Sequence, residues 1–155
     1  MTELASGKKA PSFKLLDQNE NTVQLKDFEG KKLLVYFYPR ANTSGCTRQS
    51  CAVSEAMPDL KKLKVAAVGI SPDKPASQKK FDDKYELGFP LLSDVDRKVA
   101  RKFGALGLKN VRGVKKEGIV RSSFLIDEKG KIMDAWYKVK PEDTVPKALE
   151  ALGKG

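Results

Sequence analysis

The chain of 155 residues contains no histidine, two cysteines and a single tryptophan. Without histidine there is no imidazole base and no His-ligated metal site, which removes a large share of acid–base and zinc chemistry. Two cysteines cannot build a disulfide framework, nor fill the four positions of a structural zinc site within one chain. Long hydrophobic runs are also missing. The longest apolar stretches, residues 33–38 and 65–70, span six residues each, against the ~20 that a membrane helix needs. Residues 1–9 hold no apolar stretch of signal-peptide length, so the expected setting is intracellular, in the cytoplasm, without membrane contact. At ~100–200 residues per domain, the length reads as one domain over 1–155, with residues 1–10 as a loose end.

Positive charge, in contrast, is in excess: 30 Lys and Arg face 20 Asp and Glu, a net charge of +10. Such a surplus can steer a protein toward nucleic acid or acidic partners. Its distribution points elsewhere. Pairs such as Lys8-Lys9, Lys31-Lys32, Lys61-Lys62, Lys79-Lys80 and Lys115-Lys116 are spread along the chain, mostly with acids nearby. No segment interleaves basic and aromatic residues as a single-strand binding platform does. The pattern reads as a solvated lysine-rich surface, and nucleic acid is not an expected partner.

Hydrophobic patterning sets the elements. Residues 13–16 and 22–25 flank the turn-rich Asp17 to Asn21 cluster and predict a hairpin. The apolar and aromatic run at 33–38 is how a strand buried on both faces reads, and Pro39 stops it. Residues 46–62 predict a helix, with Val53, Met57, Leu60 and Leu63 spaced by three or four and a kink or break at Pro58. A second buried strand follows at 65–70, then a charged helix at 76–84 and a short strand at 90–92. Asp94 and Asp96 sit where a cap belongs, ahead of Val99, Ala100 and Phe103 on one helical face. Residues 104–118, rich in Gly and Lys, are the least predictable stretch. Strands at 123–126 and 131–137 flank a turn, and Pro141 opens a last helix carrying Val145, Leu149 and Leu152. The order implies an α/β fold with a central mixed β-sheet flanked by helices. It resembles a thioredoxin-like core with an amino-terminal hairpin extension and an inserted helix–strand–helix.

The chemistry concentrates between residues 38 and 51. A buried strand runs into a polar loop, which delivers Cys46 to the first turn of a helix. Unpaired backbone N–H groups and the helix dipole favour an anion there, and the thiolate is a thiol's reactive form. Arg40 and Arg48 add positive charge nearby. Cys51 lies five residues on. In an unbroken helix that means a rise of about 7.5 Å and a net rotation of about 140°, leaving the Cα atoms about 8–9 Å apart. A disulfide wants them within about 7 Å, so the pair bonds only if the helix locally unwinds. A labile bond of this kind fits catalysis better than structure, although two cysteines that never meet would show the same spacing. Cys-x-x-Cys is absent. Thr43, three residues before Cys46, reads equally as a helix cap or as a hydroxyl placed beside the sulfur. Arg121, opening a strand, reads by itself as an exposed charge.

Taken together these residues carry a resemblance. Pro39, Thr43 and Cys46 fit a Pro-x-x-x-Thr/Ser-x-x-Cys signature behind an apolar strand ending in Phe37 and Tyr38, and Arg121 begins Arg-Ser-Ser-Phe-Leu-Ile-Asp. In this the chain resembles the peroxiredoxins. The Cys-x-x-x-x-Cys spacing and the segment from Asp127 to Lys140 resemble their bacterioferritin-comigratory-protein, or Q-type, branch. The resemblance covers about residues 8–152; Ser44 stands where that branch commonly has proline, and residues 104–120 fit poorly. It implies a thiol peroxidase of the atypical 2-Cys type acting on hydrogen peroxide and organic hydroperoxides. Cys46 is the implied nucleophile, oxidised to a sulfenic acid, and Cys51 the implied resolving thiol. Thr43, Arg121 and the Cys46 N–H are the implied donors to the breaking bond, and Pro39 the shield of the sulfur. An external dithiol, thioredoxin or of the glutaredoxin type, is the implied reductant. No metal, flavin or nicotinamide is called for, and one protomer holds both sulfurs, so a monomer is expected. Two rival readings remain: a thioredoxin-like protein disulfide oxidoreductase, and a basic nucleic-acid module whose cysteines sense oxidation.

Overall fold

A computed structural model of the chain describes residues 4–153, the side chains of Lys109 and Val111 excepted. The apolar run at 33–38 forms β3 (Lys32–Phe37), which pairs in parallel with β4 (Val65–Ser71) and antiparallel with β8 (Ser122–Ile126). Its side chains alternate between two cores, as the period-2 geometry of a strand demands. Leu33, Val35 and Phe37 join Val68, Ile70, Phe103 and Phe124 on one side; Leu34, Tyr36 and Tyr38 join Ala67, Phe81 and Leu125 on the other. A strand covered on both faces has no polar side to show, which is why its sequence reads as uninterrupted. Gly69 sits opposite Tyr36 in the β3–β4 register. A Cβ on Gly69 would fall 2.8 Å from the Tyr36 ring, so only glycine lets the tyrosine lie across β4.

The sheet has seven strands in the order β2-β1-β5-β4-β3-β8-β9. The predicted hairpin, β1 (Lys14–Leu16) and β2 (Thr22–Gln24), forms one edge, next to β5 (Leu91–Ser93); β9 (Ile132–Trp136) forms the other. Parallel β3–β4–β5 and antiparallel flanks make it mixed. Helix α1 (Ser44–Lys62) packs Cys46, Val53, Ala56 and Leu60 onto the Leu34–Tyr36–Tyr38 side, together with Phe81 of α2 (Pro75–Tyr85) and Ala148 of α4 (Thr144–Ala151). The short α3 (Lys98–Lys102) is capped from behind. Asp94 accepts the Val99 N–H at 3.1 Å and the Ala100 N–H at 2.8 Å, and Asp96 accepts the Lys98 N–H at 3.1 Å.

Three segments complete or correct the expectations. Residues 104–118 hold an antiparallel ribbon, β6 (Leu106–Val111) and β7 (Val114–Ile119), which forms a two-stranded sheet of its own. The break expected at Pro58 does not occur: helix α1 continues through it, with Pro58 on the exposed side. Residues 4–10 are tied down rather than loose. The Leu4 N–H donates to the Tyr137 hydroxyl at 2.7 Å, Gly7 and Ala10 donate to the carbonyls of Ile132 and Gly130, and Ala10 is buried. The rest of the expected loose end, residues 1–3, lies outside the described residues. Among the described residues no helix is long and apolar enough to cross a membrane.

Candidate active site

Strand β3 leads out of the core through Tyr38, which is fully buried, into half-buried Pro39. The loop that follows is pinned. Asp73, just beyond β4, accepts the Ala41 N–H at 2.6 Å and the Ser71 hydroxyl at 2.7 Å. Ser71 accepts from the Gln78 amide at 2.9 Å, and Gln78 accepts the Tyr38 hydroxyl at 2.6 Å. Asn42 then takes a left-handed backbone, φ 63°, which asparagine tolerates better than most residues and which turns the chain into α1. Thr43 is the N-cap residue, and its carbonyl accepts the first helical bond, from the Thr47 N–H at 2.8 Å. The amides of Ser44, Gly45 and Cys46 precede that bond and have no acceptor within the helix.

Cys46 is 1% exposed, in the first turn of α1, and faces a cation. Arg121, the residue before β8, donates through Nη2 to Cys46 Sγ at 3.3 Å. The guanidinium lies across the first turn closely enough that a Cβ on Gly45 would fall 3.2 Å from Nη2. A chain of side chains aims it. Arg121 Nη1 donates to Gln49 Oε1 at 2.6 Å, Gln49 Nε2 donates to Thr144 Oγ1 at 2.8 Å, and the Thr144 and Ser123 hydroxyls bond at 2.9 Å. Gln49, Thr144 and Ser123 are all buried, so each depends on these bonds. Sequence reading missed all three. Gln49 alone left a trace, being one helical turn after Cys46 and so on the same face.

The other expected residues fall as follows. Cys51 is half-buried on the same unbroken helix, and both cysteines are free thiols. Burial pushes the Cys51 thiol up, and the charge of Glu55, one turn further on, pushes it the same way. Thr43 makes no capping bond with its side chain; its exposed hydroxyl donates to the Arg40 carbonyl at 2.8 Å. Arg48 donates to Ser44 Oγ at 3.2 Å and lies 4.0 Å from Glu142. Between the two sulfurs along the helix, Ser50 Oγ bonds the Tyr36 hydroxyl at 2.7 Å, and burial holds that phenol far above its ordinary range. Tyr36 therefore stays neutral and offers the helix a hydrogen bond, not a charge.

A mixed sheet with helices on its faces and a buried thiol at a helix start define a thiol protein of thioredoxin-like fold. Superposition on the solved structure of Xanthomonas campestris Peroxiredoxin Q gives a TM-score of 0.89 at 31% identity over 96% of each chain. The model of the AhpC/TSA family matches residues 6–135. Two curated relatives agree. Peroxiredoxin Bcp of Escherichia coli strain K12 is 48% identical over 132 residues, 85% of either chain. A putative peroxiredoxin bcp of Haemophilus influenzae is 48% identical over 143 residues, 92% of either chain. The chain belongs to the AhpC/TSA family, with its relatives among the Bcp peroxiredoxins. The family implies a peroxide substrate and a thiol reductant.

Proposed function

We propose that the chain is a hydroperoxide reductase of the atypical 2-Cys kind, in which Cys46 is oxidised by substrate and Cys51 resolves the product. The observation that carries this is the 3.3 Å contact between Arg121 Nη2 and Cys46 Sγ at the free amide end of α1. A sulfur in contact with a guanidinium, in the first turn of a helix whose leading N–H groups have no intrahelical acceptor, has fixed donors close by for a bound peroxide.

As thiolate, Cys46 attacks one oxygen of the hydroperoxide and the O–O bond breaks. The other oxygen leaves with a proton as water or an alcohol, and the sulfur, losing two electrons, becomes a sulfenic acid. Arg121 and the amides ahead of Thr47 stabilise negative charge on the separating oxygens. The Thr43 hydroxyl, already donating to Arg40, has lone pairs left to accept the hydroperoxide proton. Pro39 closes the side of the site nearest the strand. The Cys51 sulfur then bonds to Cys46, and the sulfenic hydroxyl leaves as water with the Cys51 proton. On α1 as it stands the two Cα atoms are about 8–9 Å apart, so the first turns must open. An external dithiol, thioredoxin or of the glutaredoxin type, then gives up two electrons and two protons by exchange and restores both thiols. All the chemistry lies within one protomer, which suits a monomer, and within one domain over 1–155.

Paired substitutions test the cycle. Cys46→Ser is expected to consume no peroxide with a protein dithiol, and Cys51→Ser to complete one rapid turnover and then stall. Peroxide consumption by Cys46→Ser at the parent rate would end the proposal. Reduction of insulin disulfides by the parent, with no peroxide consumption, would make it a protein disulfide oxidoreductase instead.

A further inference from the structure

The β6–β7 ribbon is built unlike the rest of the molecule. Its base is seated, with Leu106 and Ile119 buried and the Val120 N–H donating to the Ala105 carbonyl at 2.8 Å. Beyond the base it pairs only with itself, and a lone two-stranded ribbon is marginal in water. One strap holds its flank: Arg101 of α3 donates to both Glu117 oxygens, at 2.8 and 3.3 Å. That bond occupies the one acid between residues 106 and 119. Arg112, Lys115 and Lys116, all exposed, are left without an acidic neighbour on the ribbon. Leu108, 72% exposed, and Val114, 54% exposed, are the two most exposed large apolar side chains among the described residues.

The register gives these residues a pattern. Leu108 pairs with Glu117 and Asn110 with Lys115, whereas Val114 pairs with Val111 and Lys116 with Lys109. Alternation along a strand puts Leu108 and Lys115 on one face, Val114 and Lys116 on the other. Among the described side chains, each face thus offers at least one apolar group and a lysine. An apolar contact rimmed by charge is the anatomy of a protein interface, whereas phosphate backbones are held by polar and cationic groups without apolar knobs. Position adds the rest. The ribbon ends at Ile119, two residues before Arg121, whose guanidinium touches Cys46, and six-residue strands carry its tip about 20 Å from the base.

We propose that the β6–β7 ribbon is the docking arm for the protein dithiol that reduces the Cys46–Cys51 bond, gripping an acidic surface beside that partner's thiols. This rests on the peroxidase reading above. Once docked, a partner thiolate attacks one sulfur of the disulfide and forms a mixed disulfide. Its second thiol then displaces the chain's sulfur, so two electrons pass to the chain and the partner leaves oxidised.

The test compares Lys115→Glu/Lys116→Glu with Lys61→Glu/Lys64→Glu, an equal charge change around the other end of α1. Peroxide turnover is measured with thioredoxin, with glutaredoxin and with dithiothreitol as donors. The ribbon variant is expected to raise KM for the preferred protein donor about tenfold, as reversal of steering charges does. Its turnover with dithiothreitol and its rate of Cys46 oxidation stay at parent values, and the control variant stays within about twofold throughout. A ribbon variant with the parent KM, or a control variant equally impaired, overturns the docking arm. So does loss of duplex DNA retention in the ribbon variant with KM unchanged, which would make the ribbon a nucleic-acid contact. Absence of turnover by the parent with dithiothreitol strikes the peroxidase reading itself, a result distinct from all of these.

Discussion

Cys46 and Cys51 share one helix, five residues apart, in opposite settings. Cys46 is buried at the free amide end of α1 and faces the Arg121 guanidinium. Cys51 is half-buried in the body of the helix, and the charge that acts on it is the Glu55 carboxylate. One sulfur has fixed positive groups aimed at it; the other is kept a thiol by burial and by a negative neighbour. One helix thus gives two identical side chains opposite surroundings. Its end supplies donors and its middle supplies none, because backbone amides there are already bonded.

Removing the positive side of this contrast has the largest effect. Arg121→Ala is expected to lower kcat/KM for peroxide by about 10²–10³-fold, the usual cost of losing a donor aimed at developing charge. Arg121→Lys should recover part of that, since an ammonium cannot bond Cys46 and Gln49 at once from a planar fork. Stopped-flow oxidation of Cys46 measures both. A parent-like rate in Arg121→Ala would erase the distinction between the two sulfurs.

A smaller loss is expected when the guanidinium is kept but released. Gln49→Ala removes the acceptor of Arg121 Nη1 and the donor to Thr144. Peroxide reactivity should fall about tenfold, equivalent to about 1.4 kcal/mol. Thermal unfolding should register a further loss of about 1–3 kcal/mol for the buried polar groups left unpaired. A drop in stability without a drop in rate would make Gln49 a packing residue and no more.

The smallest effect lies on the negative side. Glu55 raises the Cys51 thiol after burial does, and in the proposed cycle the attack on the sulfenic acid uses the Cys51 thiolate. Resolution should therefore quicken as pH rises through the range of that thiol. Glu55→Gln should move the whole profile to lower pH and speed disulfide formation at pH 7 by about two- to threefold, the scale of a partly exposed charge pair. A shift toward higher pH would reverse the sign of the argument.

How much of this could be read in the chain depends on burial. Strand β3 was legible because both its faces are covered, and α1 because Val53 and Leu60 keep a helical period against the sheet. The β6–β7 ribbon was not, because above its base both faces meet water and no burial imposes an alternation of apolar and polar residues. The anchoring of residues 7–10 rests on backbone bonds to the β8–β9 turn and to β9, which leave no mark on side-chain pattern. Within the site, Cys46 announced itself through its strand–loop–helix setting. Arg121 did so only through the family signature, and its partners are 72 residues away in Gln49 and 75 in Cys46. Such contacts exist only once the sheet has brought the start of β8 beside the start of α1.

In the proposed cycle an oxidised Cys46 is captured by Cys51 of the same chain. Peptide mapping by mass spectrometry, after one equivalent of hydroperoxide is added to the reduced protein without a donor, decides this. The predicted product is a single cross-link joining the two cysteine peptides, lighter than the reduced pair by two hydrogens. Contradiction would come from a Cys51 still open to alkylation while Cys46 advances to the sulfinic acid, or from both thiols surviving the oxidant unchanged.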